Sequence, residues 1–306
     1  MDLSTRYLGL ELKHPIVASA SPLTRDIDGI RKLLDAEAAA IVVASVFEED
    51  IAADHAVLDE RLETLRLASK QGDVPIIASL NGATQGGWVD FATRLQDAGA
   101  SAIELDLYRV PSDINESGLA VEQSYVNILR AVKEKVEVPV AVKLSPYFSA
   151  PGNMAKKLVE AGAAGLVLFN RFYEGDIDLD SMLMKPEFRL STPCDIQLPL
   201  MWISLLSGRL QTSLAATSGV WTYKEAVKYL IVGADAVATT SSLLKEGPQN
   251  LGRIVDGLRK WMESRGYNSL DAFKGRYAAA HLEFPDAFMR CHYSDILTSE
   301  PNDQAC

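Results

Sequence analysis

At 306 residues, with 48% hydrophobic and 23% charged side chains, the chain suits a soluble globular protein of one large domain or two ordinary ones. A formal net charge of −11 works against general binding to a phosphate backbone, so nucleic acid is not an expected partner. No apolar stretch approaches the ~20 residues of a membrane span, and Asp2, Arg6, Glu11 and Lys13 interrupt any signal-like start.

Three scattered cysteines, Cys194, Cys291 and Cys306, make no disulfide framework and predict a reducing, cytoplasmic setting. His14-Pro15 marks a turn, after which Ile16–Ser19 reads as a first buried strand. Asp26–Leu34 has helical spacing, and Ala38–Ala44 is a second apolar run, the pattern of a parallel strand buried on both faces. The stretch Glu48–Val57 is acidic and reads as irregular, followed by a helix over Leu58–Leu67. Strands are then predicted at Val74–Leu80, Ala102–Leu107, Val136–Leu144 and Ala164–Phe169. Helical segments at Trp88–Leu95, Tyr125–Val132 and Met154–Ala161 separate or follow them.

The spacing breaks at Arg171–Pro199, a proline-containing insertion before a helix at Leu200–Leu206. Two more short strands, Ser213–Ala216 and Ala236–Ala238, flank a helix at Thr222–Ile231, and Leu251–Met262 forms a last amphipathic helix. Strand and helix alternating through eight units predict an α/β fold, a (β/α)8 barrel. We expect a single barrel over residues 1–275 with the insertion at about 171–199, and a partly ordered polar extension over 276–306.

A barrel carries its working residues at the C-terminal ends of its strands. Those ends hold Ser19, Ser45, Asn81, Asp106-Leu107-Tyr108-Arg109, Lys143, Asn170, Ser218-Gly219 and Thr240-Ser241. Small residues at the last two ends, Thr217 to Gly219 and Thr239 to Ser242, expose backbone N–H groups to an anion, most simply a phosphate. Lys143, in VAVKLSPYF, is either a snorkelling surface lysine or a cation at the barrel mouth. Asn170 is either a helix cap or a site residue. Asp106 alternates with apolar residues and so faces the interior, with Lys143 or Arg109 as its partner. None of the four histidines stands at metal-ligand spacing; they read as surface or turn residues. G-x-G-x-x-G and P-loop patterns are absent. At this level a flavin enzyme and a non-flavin phosphate-binding barrel, such as an aldolase-like lyase, are both open.

From Leu8 to about Gly275 the chain resembles the class 1 dihydroorotate dehydrogenases. The resemblance rests on HPIVASAS, PIIASLNG, IELDL, VKLSPYF and GADAVATTSSLLKEGP. It implies an FMN-binding (β/α)8 barrel, a small-molecule substrate and a homodimer; an electron-transfer partner is a further expectation. It implies that Ser218, Gly219, Val220, Thr240 and Ser241 hold the FMN phosphate, that Ser19, Ala20, Ser21 and Ser45 lie along the flavin, and that Lys143 sits near its N1/O2 edge. Asn170 and Asn81 would lie on the substrate side. The family pattern breaks on strand four, where the family's catalytic cysteine is matched by Arg109, which cannot act as an ordinary base. A second family lysine is matched by Ala44, and the asparagine-rich substrate loop is missing. Tyr108, Arg109 and Asp106 are the candidate catalytic residues. The expectation is an FMN-dependent dehydrogenase of the CH–CH class, acting in pyrimidine biosynthesis if on dihydroorotate, with the substrate open to change. A non-catalytic or partner-dependent flavoprotein subunit is the alternative.

Overall fold

The computed structural model describes residues 1–53, 55–81, 85–171, 175–185, 187–281 and 297–298. A short antiparallel hairpin, β1 (Thr5–Tyr7) and β2 (Leu10–Leu12), leads into β3 (Ile16–Ala18) and helix α1 (Ile27–Asp35), capped by Asp26. The second strand position is split into β4 (Ile41–Val42) and β5 (Val46–Phe47). Helices α2 (Glu48–Ala53) and α3 (His55–Ala68) follow, so the acidic stretch expected to be irregular is helical. Its acidic residues, Glu48, Glu49 and Asp50, fill the first turn of α2, where the helix dipole favours them. Next come β6 (Ile76–Asn81), α4 (Gln85–Asp97), β7 (Ala102–Asp106), α5 (Gly118–Lys133), β8 (Val140–Leu144), α6 (Pro151–Glu160) and β9 (Gly165–Leu168). The insertion carries an exposed hairpin, β10 (Asp176–Asp178) and β11 (Leu183–Lys185), before α7 (Gln197–Leu206). The chain finishes with β12 (Ser213–Ala216), α8 (Tyr223–Ile231), β13 (Ala236–Thr239), α9 (Ser241–Glu246) and α10 (Asn250–Arg265).

Parallel pairing runs β3-β4-β6-β7-β8-β9-β12-β13 and returns to β3, closing an eight-stranded barrel. Period-two alternation divides each strand between two cores. On β7, Ile103 and Leu105 pack outward against the helices, whereas Ala102 belongs to a smaller inner cluster. That inner cluster is built from small residues, among them Ala40, Ala141, Ala215 and Ala236, and Tyr7, Leu8 and Leu12 of the hairpin join it. The hairpin therefore stops the N-terminal end of the barrel. Gly165 on β9 allows it, since a Cβ there would collide with Leu8 Cδ2 and lie 3.3 Å from the Ser213 carbonyl oxygen.

Several expectations are corrected. His14 is buried, not superficial: Nε2 lies 2.7 Å from the Glu37 carbonyl oxygen, and Nδ1 accepts from Ile16 N–H at 3.2 Å. Burial depresses its pKa to about 4. Residues 267–281 pack against the barrel. Leu270, Phe273, Ala278 and Ala279 are buried, and Phe273 packs on Trp261 with ring centroids 5.0 Å apart. Cys194 is disulfide-bonded, which removes one support for a reducing compartment. Among the described residues no helix is long and apolar enough to cross a membrane.

Candidate active site

The loop after β12 shows how the sequence makes an anion cradle. Thr222 caps α8 through a capping box with Glu225, whose Oε2 accepts from Thr222 N–H and hydroxyl, both at 2.8 Å. This fixes the helix start, and helical spacing buries Ala226, Val227, Tyr229 and Leu230. The Tyr229 hydroxyl then donates to the Ser218 carbonyl oxygen at 3.0 Å. Thr239 Oγ1 donates to the Val220 carbonyl at 2.8 Å, and Asn250 Nδ2 to that of Trp221 at 3.1 Å. With the loop's carbonyls held by these side chains, its N–H groups are left for another partner. Ser218 takes the left-handed region at φ 80, a conformation that glycine adopts more readily. Among the described residues the N–H groups of Ser218, Val220, Thr240 and Ser241 make no hydrogen bond. That donor set fits a phosphate.

Of the sequence-predicted residues, Ser19, Ala20, Lys143, Asn170, Ser218, Gly219, Val220, Thr240 and Ser241 line one cavity at the C-terminal end of the barrel. Ser21 and Ser45 do not. The Ser21 hydroxyl accepts from Leu23 N–H at 3.2 Å and starts a short turn, and Ser45 Oγ pairs with Ser79 Oγ at 2.8 Å. Asn81, Tyr108 and Arg109 line a second cavity of ≈640 Å³ between α4 and α5. Arg109 is already engaged there: its guanidinium donates to both Glu116 carboxylate oxygens at 2.9 and 2.8 Å.

Asp106 stands between the two. Its backbone carbonyl accepts from Asn81 Nδ2 at 2.9 Å, and its side chain accepts from Asn170 Nδ2. Lys143 Nζ lies 3.7 Å from Asp106 Oδ2 and 3.7 Å from Glu104 Oε1, so one buried ammonium faces two buried carboxylates. Burial pushes both carboxyl groups up from their ordinary values and Lys143 draws them down. Asn170 supplies Asp106 with a donor, which favours its ionised form. Glu104 Oε1 has no hydrogen bond, since 3.7 Å is an ion-pair distance too long for one. Glu104 is therefore the carboxyl that more readily keeps a proton. Below it, burial and Glu104 push the Tyr7 phenol well up.

Sequence reasoning missed Glu104 and the strap over the cavity. Glu104 was accessible, because 102, 104 and 106 share a strand face. The strap is Phe188–Ser191, from the insertion. Ser191 is buried; its N–H and Oγ both donate to Ser241 Oγ at 2.9 and 2.8 Å, and its Oγ accepts from Gly219 N–H at 3.1 Å. Trp221 Nε1 donates to the Ser191 carbonyl at 2.7 Å. With the strap in place the cavity is ≈80 Å³, below the ~300–1,000 Å³ of ligand pockets. No local sequence signal announces a serine bound to residues some thirty and fifty positions away.

Residues 53–262 match the family model described as dihydroorotate dehydrogenase, more than half of the chain. The chain belongs to the dihydroorotate dehydrogenase family. A protein of Aeropyrum pernix that carries the name dihydroorotate dehydrogenase A (fumarate) is 30% identical over 222 residues, 71% of this chain and 72% of the relative. The dihydroorotate dehydrogenase B (NAD(+)) catalytic subunit of Thermoplasma acidophilum is 24% identical over 299 residues, 90% of this chain and 98% of the relative. That of Anoxybacillus flavithermus is 29% identical over 213 residues, 67% of each chain. Family membership agrees with the resemblance drawn from the strand-end motifs, and the closed barrel is the fold it implied. Among the described residues no group of His, Cys, Asp or Glu is arranged to hold a metal ion.

Proposed function

We propose that the protein is an FMN-dependent, dihydroorotate dehydrogenase-like oxidoreductase acting on a CH–CH bond, with a substrate site altered from that of its relatives. The observation that carries this reading is the donor-lined cradle after β12 and β13, opening beside Lys143 and Asn170. Ser218, Val220, Thr240 and Ser241 would hold the FMN phosphate, with Ser19, Ala20 and Lys143 along the rest of the group. When bound, FMN supplies a hydride acceptor. Loading requires the Phe188–Ser191 strap to shift outward, since Ser191 now takes the Gly219 N–H.

In the chain's own chemistry Asp106 is the candidate base. Asn170 fixes its carboxylate, Lys143 balances its charge, and burial raises its pKa above the ordinary carboxylate value, which makes it a stronger base than an exposed aspartate. Arg109 stands in the family's cysteine position but points its charge at Glu116, so it takes no proton. Loss of the cysteine is expected to slow proton abstraction from dihydroorotate ~10²–10⁴-fold. Assaying FMN-loaded protein with dihydroorotate and fumarate, a quinone or NAD tests this; rapid turnover with dihydroorotate would contradict the altered site.

A partner-dependent flavoprotein subunit is the second reading, supported by the name "catalytic subunit" carried by relatives. Its mark is an anaerobically photoreduced protein that no candidate substrate reoxidises. The exposed hairpin, with Ile177, Leu179, Leu183 and Met184 uncovered, supports self-association into a dimer. Light scattering at micromolar protein checks it, and a monomer would speak against it.

A further inference from the structure

The cavity beside the cradle has a charge of its own. A space of ≈420 Å³ lies between the β8 and β9 ends and the start of α7, and shares Phe169, Asn170, Arg171 and Ser218 with the cradle cavity. Arg171 therefore faces both. One of its terminal nitrogens, Nη1, donates to the Arg189 carbonyl at 2.8 Å, which anchors the guanidinium to the strap. Its remaining donors have no carboxylate partner among the described residues. The lining carboxylate, Asp195, is committed elsewhere: its Oδ2 accepts from Thr192 N–H at 2.6 Å and from Thr192 Oγ1 at 3.1 Å. Arg109, by contrast, is paired: its Nη2 donates to both carboxylate oxygens of Glu116.

We infer that Arg171, with Asn170 beside it, is the anchor for a carboxylate on the substrate. The planar guanidinium fork matches a carboxylate in a way that a point charge does not. The inference rests on the CH–CH dehydrogenase reading, because an adjacent carboxyl or carbonyl group is what acidifies such a C–H bond. It makes the substrate a small organic acid, held from the β9 side of the barrel and not from the β7 loop. The anchoring of Arg171 to the strap also places the acid and the strap on one connected element.

The test is calorimetric titration of succinate and of inorganic phosphate into FMN-loaded protein, as wild type and as Arg171→Gln, Arg171→Lys and Arg109→Gln. Succinate is expected to bind FMN-loaded wild type, to bind FMN-loaded Arg171→Gln at least about tenfold more weakly, and to bind Arg171→Lys in between. Equal succinate affinity in wild type and Arg171→Gln overturns the inference, as does loss confined to Arg109→Gln. Phosphate binding in preference to succinate overturns the carboxylate assignment, and loss of FMN affinity in Arg171→Gln makes the residue a cofactor ligand instead. Protein that takes up no FMN yet binds succinate through Arg171 sinks the flavin reading and leaves the anchor standing.

Discussion

Asp106 and Lys143 are register partners on β7 and β8, and their charged groups lie 3.7 Å apart inside the barrel. Glu104, two residues earlier on the same face, stands at the same distance from the same ammonium. Removing the lysine would leave two buried carboxyl groups without a cation. We expect Lys143→Met to cost about 3–5 kcal/mol of stability, read from denaturant midpoints. The pH dependence has a definite sign. Both folded pKa values are raised, so each carboxyl contributes stability that is complete below its unfolded value and lost as pH rises through the folded one. Without Lys143 to oppose it that loss deepens, and the deficit of the variant should be larger at about pH 8 than at about pH 5.

His14 works in the opposite direction. Its imidazole accepts from Ile16 N–H through Nδ1, which requires a neutral ring, and its folded pKa is depressed from 6.5 to about 4. Stability from His14 is therefore present above pH 6.5 and lost as pH falls toward about 4, up to about 3 kcal/mol in all. Melting temperatures across this window should fall in the wild type and be flatter in His14→Gln.

Arg109 and Glu116 form an ion pair through Nη2 of the arginine, whose side chain is 44% exposed. Exposed pairs contribute about 0.2–1 kcal/mol, so Arg109→Ala should shift the denaturant midpoint only slightly. Because Arg109 lies in the second cavity, FMN affinity should be unchanged. A large loss of FMN binding would mean that the two cavities act as one.

Gly165 is where the hairpin stopper meets the barrel wall. A methyl group there collides with Leu8 Cδ2. Gly165→Ala should cost about 1–3 kcal/mol by overpacking, and shortening Leu8 to alanine in the same chain should recover part of it. Thermal unfolding of both variants checks this, and a Gly165→Ala protein that melts with the wild type would contradict it.

The barrel was legible because its strands are short apolar runs set between helical spacings, and the β12–α8–β13 region folds where the sequence places it. The second strand was overread. Ala38–Ala44 is apolar throughout, yet only Ile41 and Val42 form regular pairs before the chain steps to β5. Apolar character reports burial there, not ladder geometry. The cradle residues were legible as small residues at strand ends. What closes the cradle was not, because Ser191 reaches it through contacts across the insertion. Arg109 drew attention by its place in a broken motif, whereas Arg171, beside Asn170, sits in no motif and emerged only from the shape of the cavity.

The central claim is that the cradle holds a flavin phosphate. Titrating apoprotein with FMN while following flavin fluorescence and absorbance tests it most directly. One FMN bound per chain, with affinity reduced at least about tenfold by an acidic Ser218→Asp change in the cradle, is the predicted result. No binding, or binding indifferent to that change, would contradict it.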